Sequence, residues 1–307
     1  REVLERLPTD LLLLFRSVTV VVIGDDIRPS YYLPASAAMF IDAYSLWVNV
    51  EEAATVSLEP DYRAEFARRV DFAARWRYVK DDDYAIGELD ENGNSSIEDV
   101  TLDMASLLFH ELAHAADYLP PQLITELGSS QSPYSSELEL RSEILLRRYP
   151  LEAAELHGVA GVLFHGAEPT AREARYTASQ IGEFFAPDGA VDLYSYSTQR
   201  EDLAMLFEEA MMKIHYGVQR DVGFTSVPRD GKDDPLCSDY RVGWGVRGRI
   251  GAPHLAERTG LVLHEILPDR DYRTDIADFP VPVPLRTGDS WCDNLVLGAG
   301  AGFSPLA

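Results

Sequence analysis

Apolar residues recur every three to four positions in several stretches of the chain, which is the period of an α-helix. The spacing predicts helices over residues 61–76, 95–119 and 198–216, and further helices within residues 136–165. A protein with this many amphipathic segments has a strong helical component.

A different pattern near the N-terminus predicts strands. The β-branched run of residues 18–23 ends at Gly24, which indicates a buried strand followed by a turn. Residues 38–50 are aromatic and partly alternate between apolar and polar side chains, so we expect a second strand there.

The composition changes after Gly217, where Gly and Pro become frequent. Short strand-like runs occur in this part, such as residues 260–266. These features predict a loop-rich extension or small subdomain over residues 220–307.

The helix predicted at residues 95–119 has one polar face. Ser95 followed by Glu98 fits a capping box at its start, and Pro120 ends it. At about 100° per residue, five polar side chains fall on one side of an otherwise apolar helix: Asp103, Ser106, His110, His114 and Asp117. Burying such a row is costly unless its members are paired or bind a ligand.

His110-Glu111-Leu112-Ala113-His114 has the H-E-x-x-H spacing. On a helix this spacing places two imidazoles one turn apart, where both can bind one zinc ion, with Glu111 beside them as a general base. The alternative is a pair of core histidines hydrogen-bonded to Asp103 or Asp117. We favour the zinc site.

A catalytic zinc needs a third protein ligand. Asp117 lies about 10.5 Å along the helix axis from His110, too far to share an ion with it. Glu201 and Glu208, seven residues apart on one face of the helix at 198–216, are both eligible on spacing alone. We expect Glu208 and Glu209 to be solvated or salt-bridged to an Arg.

Two short segments carry a resemblance. The first reads His110-Glu111-x-x-His114-Ala115-x-Asp117-Tyr118, and the second reads Tyr194, six residues, then Glu201-x-x-Ala204-x-x-Phe207. Together they resemble the gluzincin zinc metallopeptidases, locally the branch with lethal-factor-like or Pro-Pro-endopeptidase-like catalytic domains.

The resemblance implies roles for individual residues. Glu201 would be the third zinc ligand beside His110 and His114, and Glu111 the base for hydrolysis of peptide bonds by metal-activated water. Tyr194 would donate a hydrogen bond to the oxyanion, with Tyr196 as the alternative. Met205 stands where relatives often have an acidic residue, so Asp117 or Asp202 is expected to support a ligand histidine instead.

The resemblance also implies an α+β, zincin-like fold, with a mixed sheet over the active-site helix and a helical lower part that supplies Glu201. The catalytic domain would span residues 1–219. The long separation of the two motifs implies a helical insertion at about residues 122–192. We expect the substrate backbone to add to an edge strand within residues 40–48.

The net charge and the two cysteines bear on the partners and the location of the protein. The chain has 51 acidic and 27 basic residues, a net charge of −24, which argues against nucleic acid as a partner. The resemblance implies a peptide or protein as the substrate. No apolar run is long enough to span a membrane. The chain begins at Arg1, so we expect a preceding segment able to hold a signal. Cys237 and Cys292 could form a disulfide that closes a long loop, and the alternative is two unpaired buried thiols. We favour the disulfide, and with it an extracytoplasmic protein.

Two other functions stay open. One is a catalytically silent zinc-binding protein of the cell envelope, against which the intact Glu111 argues. The other is a zinc hydrolase that acts on a non-peptide amide or ester.

Overall fold

The computed structural model describes residues 2–57, 59–87, 89–128, 131–136, 138–228 and 236–298. The helices within this part of the chain are α1 Glu2–Arg6, α2 Thr9–Leu14, α3 Val50–Ala53, α4 Ile97–Tyr118, α5 Arg141–Arg148, α6 Ala154–His165, α7 Ala178–Phe185, α8 Gln199–Tyr216, α9 Ala256–Ile266 and α10 Arg273–Ala277. The strands are β1 Val20–Gly24, β2 Tyr31–Leu33, β3 Ala38–Asp42, β4 Phe72–Lys80, β5 Asp83–Tyr84, β6 Gln219–Ser226, β7 Val242–Arg247 and β8 Val283–Pro284.

The strands form two sheets. The smaller has the order β1-β3-β2, with β1 parallel and β2 antiparallel to β3. The larger is antiparallel, with the order β5-β4-β6-β7-β8. Helices and sheets in one chain confirm the predicted α+β class at this coarse level.

Two predictions about the small sheet are wrong. The apolar run at β1 is not buried, because β1 lies at the sheet edge, where Val20 to Ile23 are between 37% and 57% exposed. Nor is the segment at residues 40–48 an edge strand. Its strand part belongs to β3, which is paired on both sides, and the edge strand beside the site is β2.

Helix α4 begins one residue later than predicted. Ser96, not Ser95, is its N-cap and accepts a hydrogen bond from the backbone of Asp99 at 2.9 Å. Both serines are followed three residues later by an acidic residue, so the pattern alone did not separate them. Glu98 is exposed and forms no capping box with Ser95.

Two predicted elements have the wrong type. Within residues 61–76, only Tyr62–Arg69 is helical, as a 3-10 helix, and β4 follows because it pairs with β6 along eight positions. The strand-like run at residues 260–266 is part of α9, where Val262, Leu263 and Ile266 are buried on one helix face. In both places tertiary packing outweighs local propensity.

The main core lies between α4 and α8, which pack face to face with the rings of Phe109 and Phe207 6.0 Å apart. A second core lies between the large sheet and α6 and α7, around Phe185 and Phe224. Because the apolar faces of α4 and α8 pack into this core, the polar face of α4 lies beside α8.

The larger sheet joins distant parts of the chain. Strand β4 precedes α4, whereas β6 follows α8 and lies between β4 and β7. Strands on both sides of residue 219, where a domain boundary was predicted, therefore belong to one sheet. Helices α5, α6 and α7 occupy the segment predicted as a helical insertion.

Cys237 and Cys292 form a disulfide, as predicted, across a sequence separation of 55 residues. It lies beside a small cluster formed by Val242, Leu285 and Trp291. Among the described residues, none of the helices has the length and apolar character needed to cross a bilayer.

Candidate metal centre

Helix α4 presents His110 and His114 one turn apart on its polar face. Their Nε2 atoms lie 3.2 Å from each other, and the rings meet edge to face. The two side chains are 13% and 14% exposed, so they are largely removed from solvent but open to the cleft above them.

Helix α8 brings Glu201 to the same point. Thr198 caps this helix by accepting a hydrogen bond from the Glu201 backbone, which fixes Glu201 in the first turn. Glu201 Oε2 lies 3.0 Å from His110 Nε2 and 3.3 Å from His114 Nε2.

The spacing of these three atoms fits a metal ion. Ligand atoms about 2.0–2.1 Å from a tetrahedral ion are separated from one another by about 3.3 Å. The three observed separations of 3.0, 3.2 and 3.3 Å are close to that value. His110, His114 and Glu201 therefore form a group able to hold a metal ion.

Proton affinities at this group reflect mutual attraction between its members. Burial alone would lower the pKa of His110, but hydrogen bonds to Glu201 and Glu208 raise this pKa well above its usual range. Burial would raise the pKa of Glu201, yet the charges and hydrogen bonds of His114 and His110 lower it well below its usual range.

Glu208 supports His110 from the far side. Its Oε2 lies 3.1 Å from His110 Nδ1, a contact that favours a proton on Nδ1 and would leave Nε2 as the nitrogen that binds an ion. Glu208 Oε1 accepts further hydrogen bonds from Ser106 at 2.7 Å and Tyr78 at 2.9 Å, and Arg220 lies 3.3 Å away. The predicted ion pair with an Arg is confirmed. The alternative prediction, that Glu208 is solvated, is wrong, because the residue is 5% exposed.

Glu209 is also buried, at 2% exposed, rather than solvated. It accepts a hydrogen bond from the Ile250 backbone at 3.2 Å. Burial is the main cause that raises the pKa of its carboxyl to about 8, against the opposing charge of Arg220.

The two aspartates expected to support a histidine have other partners. Asp117 accepts hydrogen bonds from the backbone and hydroxyl of Ser142, at 2.7 and 2.9 Å. Asp202 pairs with Arg258. Sequence reasoning missed the role of Glu208, although its spacing of seven from Glu201 on one helix face was visible.

Glu111 lies next to the candidate ligands and is 4% exposed. Its Oε2 has no hydrogen-bond partner among the described residues, while the backbone N–H of Tyr32 on β2 interacts with the carboxyl group. Burial raises the pKa of this carboxyl, and the charges of His114 and His110 oppose the shift. Such an environment favours a group that accepts and releases a proton.

The two candidate tyrosines differ in placement. Tyr194 lines the cleft, stacks on His110 with ring centroids 6.1 Å apart, and accepts a hydrogen bond from Arg63 at 3.3 Å. Tyr196 is 2% exposed, and its hydroxyl donates to Asp188 at 3.0 Å. The structure therefore brings Tyr194, and not Tyr196, to the centre.

A cleft of about 880 Å³ opens over this centre. Its floor is the polar face of α4, and its walls include β2, the first half of β4 and the 3-10 helix Tyr62–Arg69. The five residues predicted as site residues, His110, Glu111, His114, Tyr194 and Glu201, all line it.

No protein-family model matches the chain, and no curated protein or solved structure matches it significantly.

Proposed function

We propose that this protein is a zinc-dependent metallopeptidase of the gluzincin type with a zincin-like fold. The observation that carries the proposal is the convergence of His110, His114 and Glu201 at separations of 3.0 to 3.3 Å, with the unpartnered Oε2 of Glu111 in the same cleft. A purely structural metal site has no need of such a carboxylate.

Zinc is the ion that suits this set of ligands. Two imidazole nitrogens and one carboxylate oxygen are typical of catalytic zinc sites, which keep a fourth position for water or substrate. When bound, zinc supplies Lewis-acid chemistry to a carbonyl group and to water. His110 and His114 would bind through Nε2, and Glu208 would keep His110 in the required tautomer.

Glu111 would act as the general base. Its carboxylate takes a proton from the attacking water and later gives it to the leaving amine, which needs a group whose proton affinity lies near the working pH. Its burial and raised pKa support this assignment.

Tyr194 would stabilise the oxyanion. Arg63 donates to the phenol oxygen, so the phenol keeps its own proton as a donor, which faces Glu201 in the cleft. Arg63 is itself fixed by Asp61, which accepts from its Nε at 2.9 Å. A donor fixed in this way before the reaction lowers the barrier more than a mobile one does.

The substrate backbone would pair with β2. One edge of β2 is bonded to β3, whereas Tyr31 and Tyr32 line the cleft beside Glu111. An extended peptide can add to such an edge as a further strand. The disulfide between Cys237 and Cys292 supports an extracytoplasmic location.

The test is a comparison of the wild-type protein with Glu111→Gln. Each is loaded with one equivalent of zinc and incubated with a mixed library of unmodified peptides, and cleavage is read by mass spectrometry. We expect cleavage by the wild type and a loss of at least a thousandfold in Glu111→Gln, with zinc content and circular dichroism unchanged.

Other outcomes separate the alternatives. Zinc bound at one per chain without cleavage of any peptide would indicate a silent zinc-binding protein or a hydrolase of another amide or ester. Equal cleavage by Glu111→Gln would overturn the mechanism. A wild-type protein that binds no zinc would overturn the proposal as a whole.

A further inference from the structure

Asp103 lies in the cleft on the same face of α4 as the candidate ligands. It precedes His110 by seven residues, which is two helical turns or about 10.5 Å along the axis. An extended peptide covers this distance in about three residues. A substrate side chain a few residues from the scissile bond can therefore reach Asp103.

Apart from Glu111, the candidate base, the other carboxylates that line the cleft have positive partners. Asp61 pairs with Arg63, and Asp192 pairs with Arg220 at 3.0 Å. Glu201 and Glu208 contact the histidines as described above. Asp103 differs: among the described residues, none of the Lys, Arg and His side chains forms an ion pair with it.

The immediate surroundings of Asp103 are negative. Its hydrogen-bond partner is Ser45, and the charged groups that act on it are Asp99 and Glu208. Burial is the main cause that raises the pKa of Asp103 to about 6, and these two carboxylates add to the shift. A cation bound beside Asp103 would favour the ionised carboxylate and so oppose both the effect of burial and the repulsion by the neighbouring carboxylates.

From these placements we propose that Asp103 is a recognition site for a cationic side chain, Lys or Arg, of the peptide substrate. The inference rests on the proposed peptidase function. Leu107, one turn further along α4, also lines the cleft and provides an apolar surface for the aliphatic stem of such a side chain. Asp103 would bind its charged end by a charge-assisted hydrogen bond.

The experiment uses peptides built on one cleaved sequence, with Lys, norleucine or Glu placed in turn at each position near the scissile bond. Cleavage by the wild type gives kcat/KM ratios, and fluorescence anisotropy with zinc-loaded Glu111→Gln gives Kd ratios without turnover. We expect Lys to be preferred over norleucine by about tenfold at one position in both measurements.

Two variants assign the preference to its residue. Asp103→Asn removes the charge and should reduce the Lys to norleucine ratio to between one and two, while Asp103→Lys should favour Glu. The matched control Glu98→Gln also removes one negative charge from α4, but its side chain is 82% exposed and lies outside the cleft, so the ratio should remain near tenfold.

The outcomes are distinguishable. Cleavage without a preference for Lys at any position, or a preference that persists in Asp103→Asn, overturns this inference and leaves the peptidase function intact. A wild-type protein that neither cleaves nor binds any of the peptides overturns both.

Discussion

At the scale of single residues, His110 is contacted at both ring nitrogens by carboxylates of one helix. Glu201 faces Nε2 and Glu208 faces Nδ1. Spacing alone does not distinguish these two glutamates, but their contacts differ: Glu201 lies within 3.3 Å of Nε2 of both histidines, and Glu208 contacts only His110 of the two.

Glu208→Gln is therefore expected to weaken zinc binding by about 10- to 100-fold, because His110 loses the carboxylate that orients it. Glu201→Ala should weaken it more, since it removes a ligand. Affinities follow from competition with a chromophoric chelator. Glu168→Gln, whose side chain is 89% exposed, is the control. A Glu208→Gln affinity equal to that of the control would show that the contact has no role in binding.

Tyr194→Phe tests the proposal that Tyr194 donates to the oxyanion. We expect kcat to fall by about a hundredfold with little change in zinc content, because one preorganised hydrogen bond is lost while the ring and its stacking on His110 remain. Tyr196→Phe is the matched control, since the Tyr196 hydroxyl binds Asp188. Steady-state kinetics would contradict this role if both variants lost kcat to the same extent.

At the scale of elements, the sequence predicted the helices that hold the site better than the strands around it. Helix α8 was expected at residues 198–216 and occupies Gln199–Tyr216. Its apolar spacing and Thr198 cap are local signals. Strand β4 was missed because its partner β6 is more than a hundred residues away, and no local pattern reveals such pairing.

The same distinction holds for the site. His110, Glu111 and His114 could be found from five consecutive residues, because helix geometry alone brings them together. Glu201 needed the resemblance, since its contact with His110 spans 91 positions. Glu208 was expected to be solvated or salt-bridged to an Arg, and its contact with His110 was not predicted, because spacing on a helix does not reveal which face a neighbouring element covers.

Helix α8 also buries Glu209, which makes stability depend on pH. The pKa of about 8 in the folded protein exceeds the ordinary value of 4.5, so between these values the folded state retains a proton that the unfolded state has released. The contribution of Glu209 therefore falls as pH rises through this range.

Urea unfolding at pH 5 and pH 8 tests this point. Relative to Glu209→Gln, the wild type should lose on the order of 3 kcal/mol of unfolding free energy between the two pH values. The exposed Glu183→Gln serves as the control and should follow the wild type. If the difference in unfolding free energy between the wild type and Glu209→Gln were the same at pH 5 and pH 8, the raised pKa of Glu209 would be contradicted.

At the scale of the whole molecule, the disulfide restrains the part of the chain after α8. Cys237 and Cys292 are 55 residues apart in the sequence, and closing this loop reduces the conformational entropy of the unfolded chain. Replacing both by Ser should lower the free energy of unfolding by up to about 4 kcal/mol. Chemical denaturation of oxidised wild type and the double variant measures this difference, and equal midpoints would contradict it.

The candidate ligands come from α4 and α8, and unfolding would separate them. An ion bound by both helices would act as a reversible cross-link, so its binding energy would be added to the stability of the native chain. At free metal of 100 times Kd this amounts to about 2.7 kcal/mol. The melting temperature would then follow the concentration of free metal, and thermal denaturation alone, without any substrate, would report the affinity of the site.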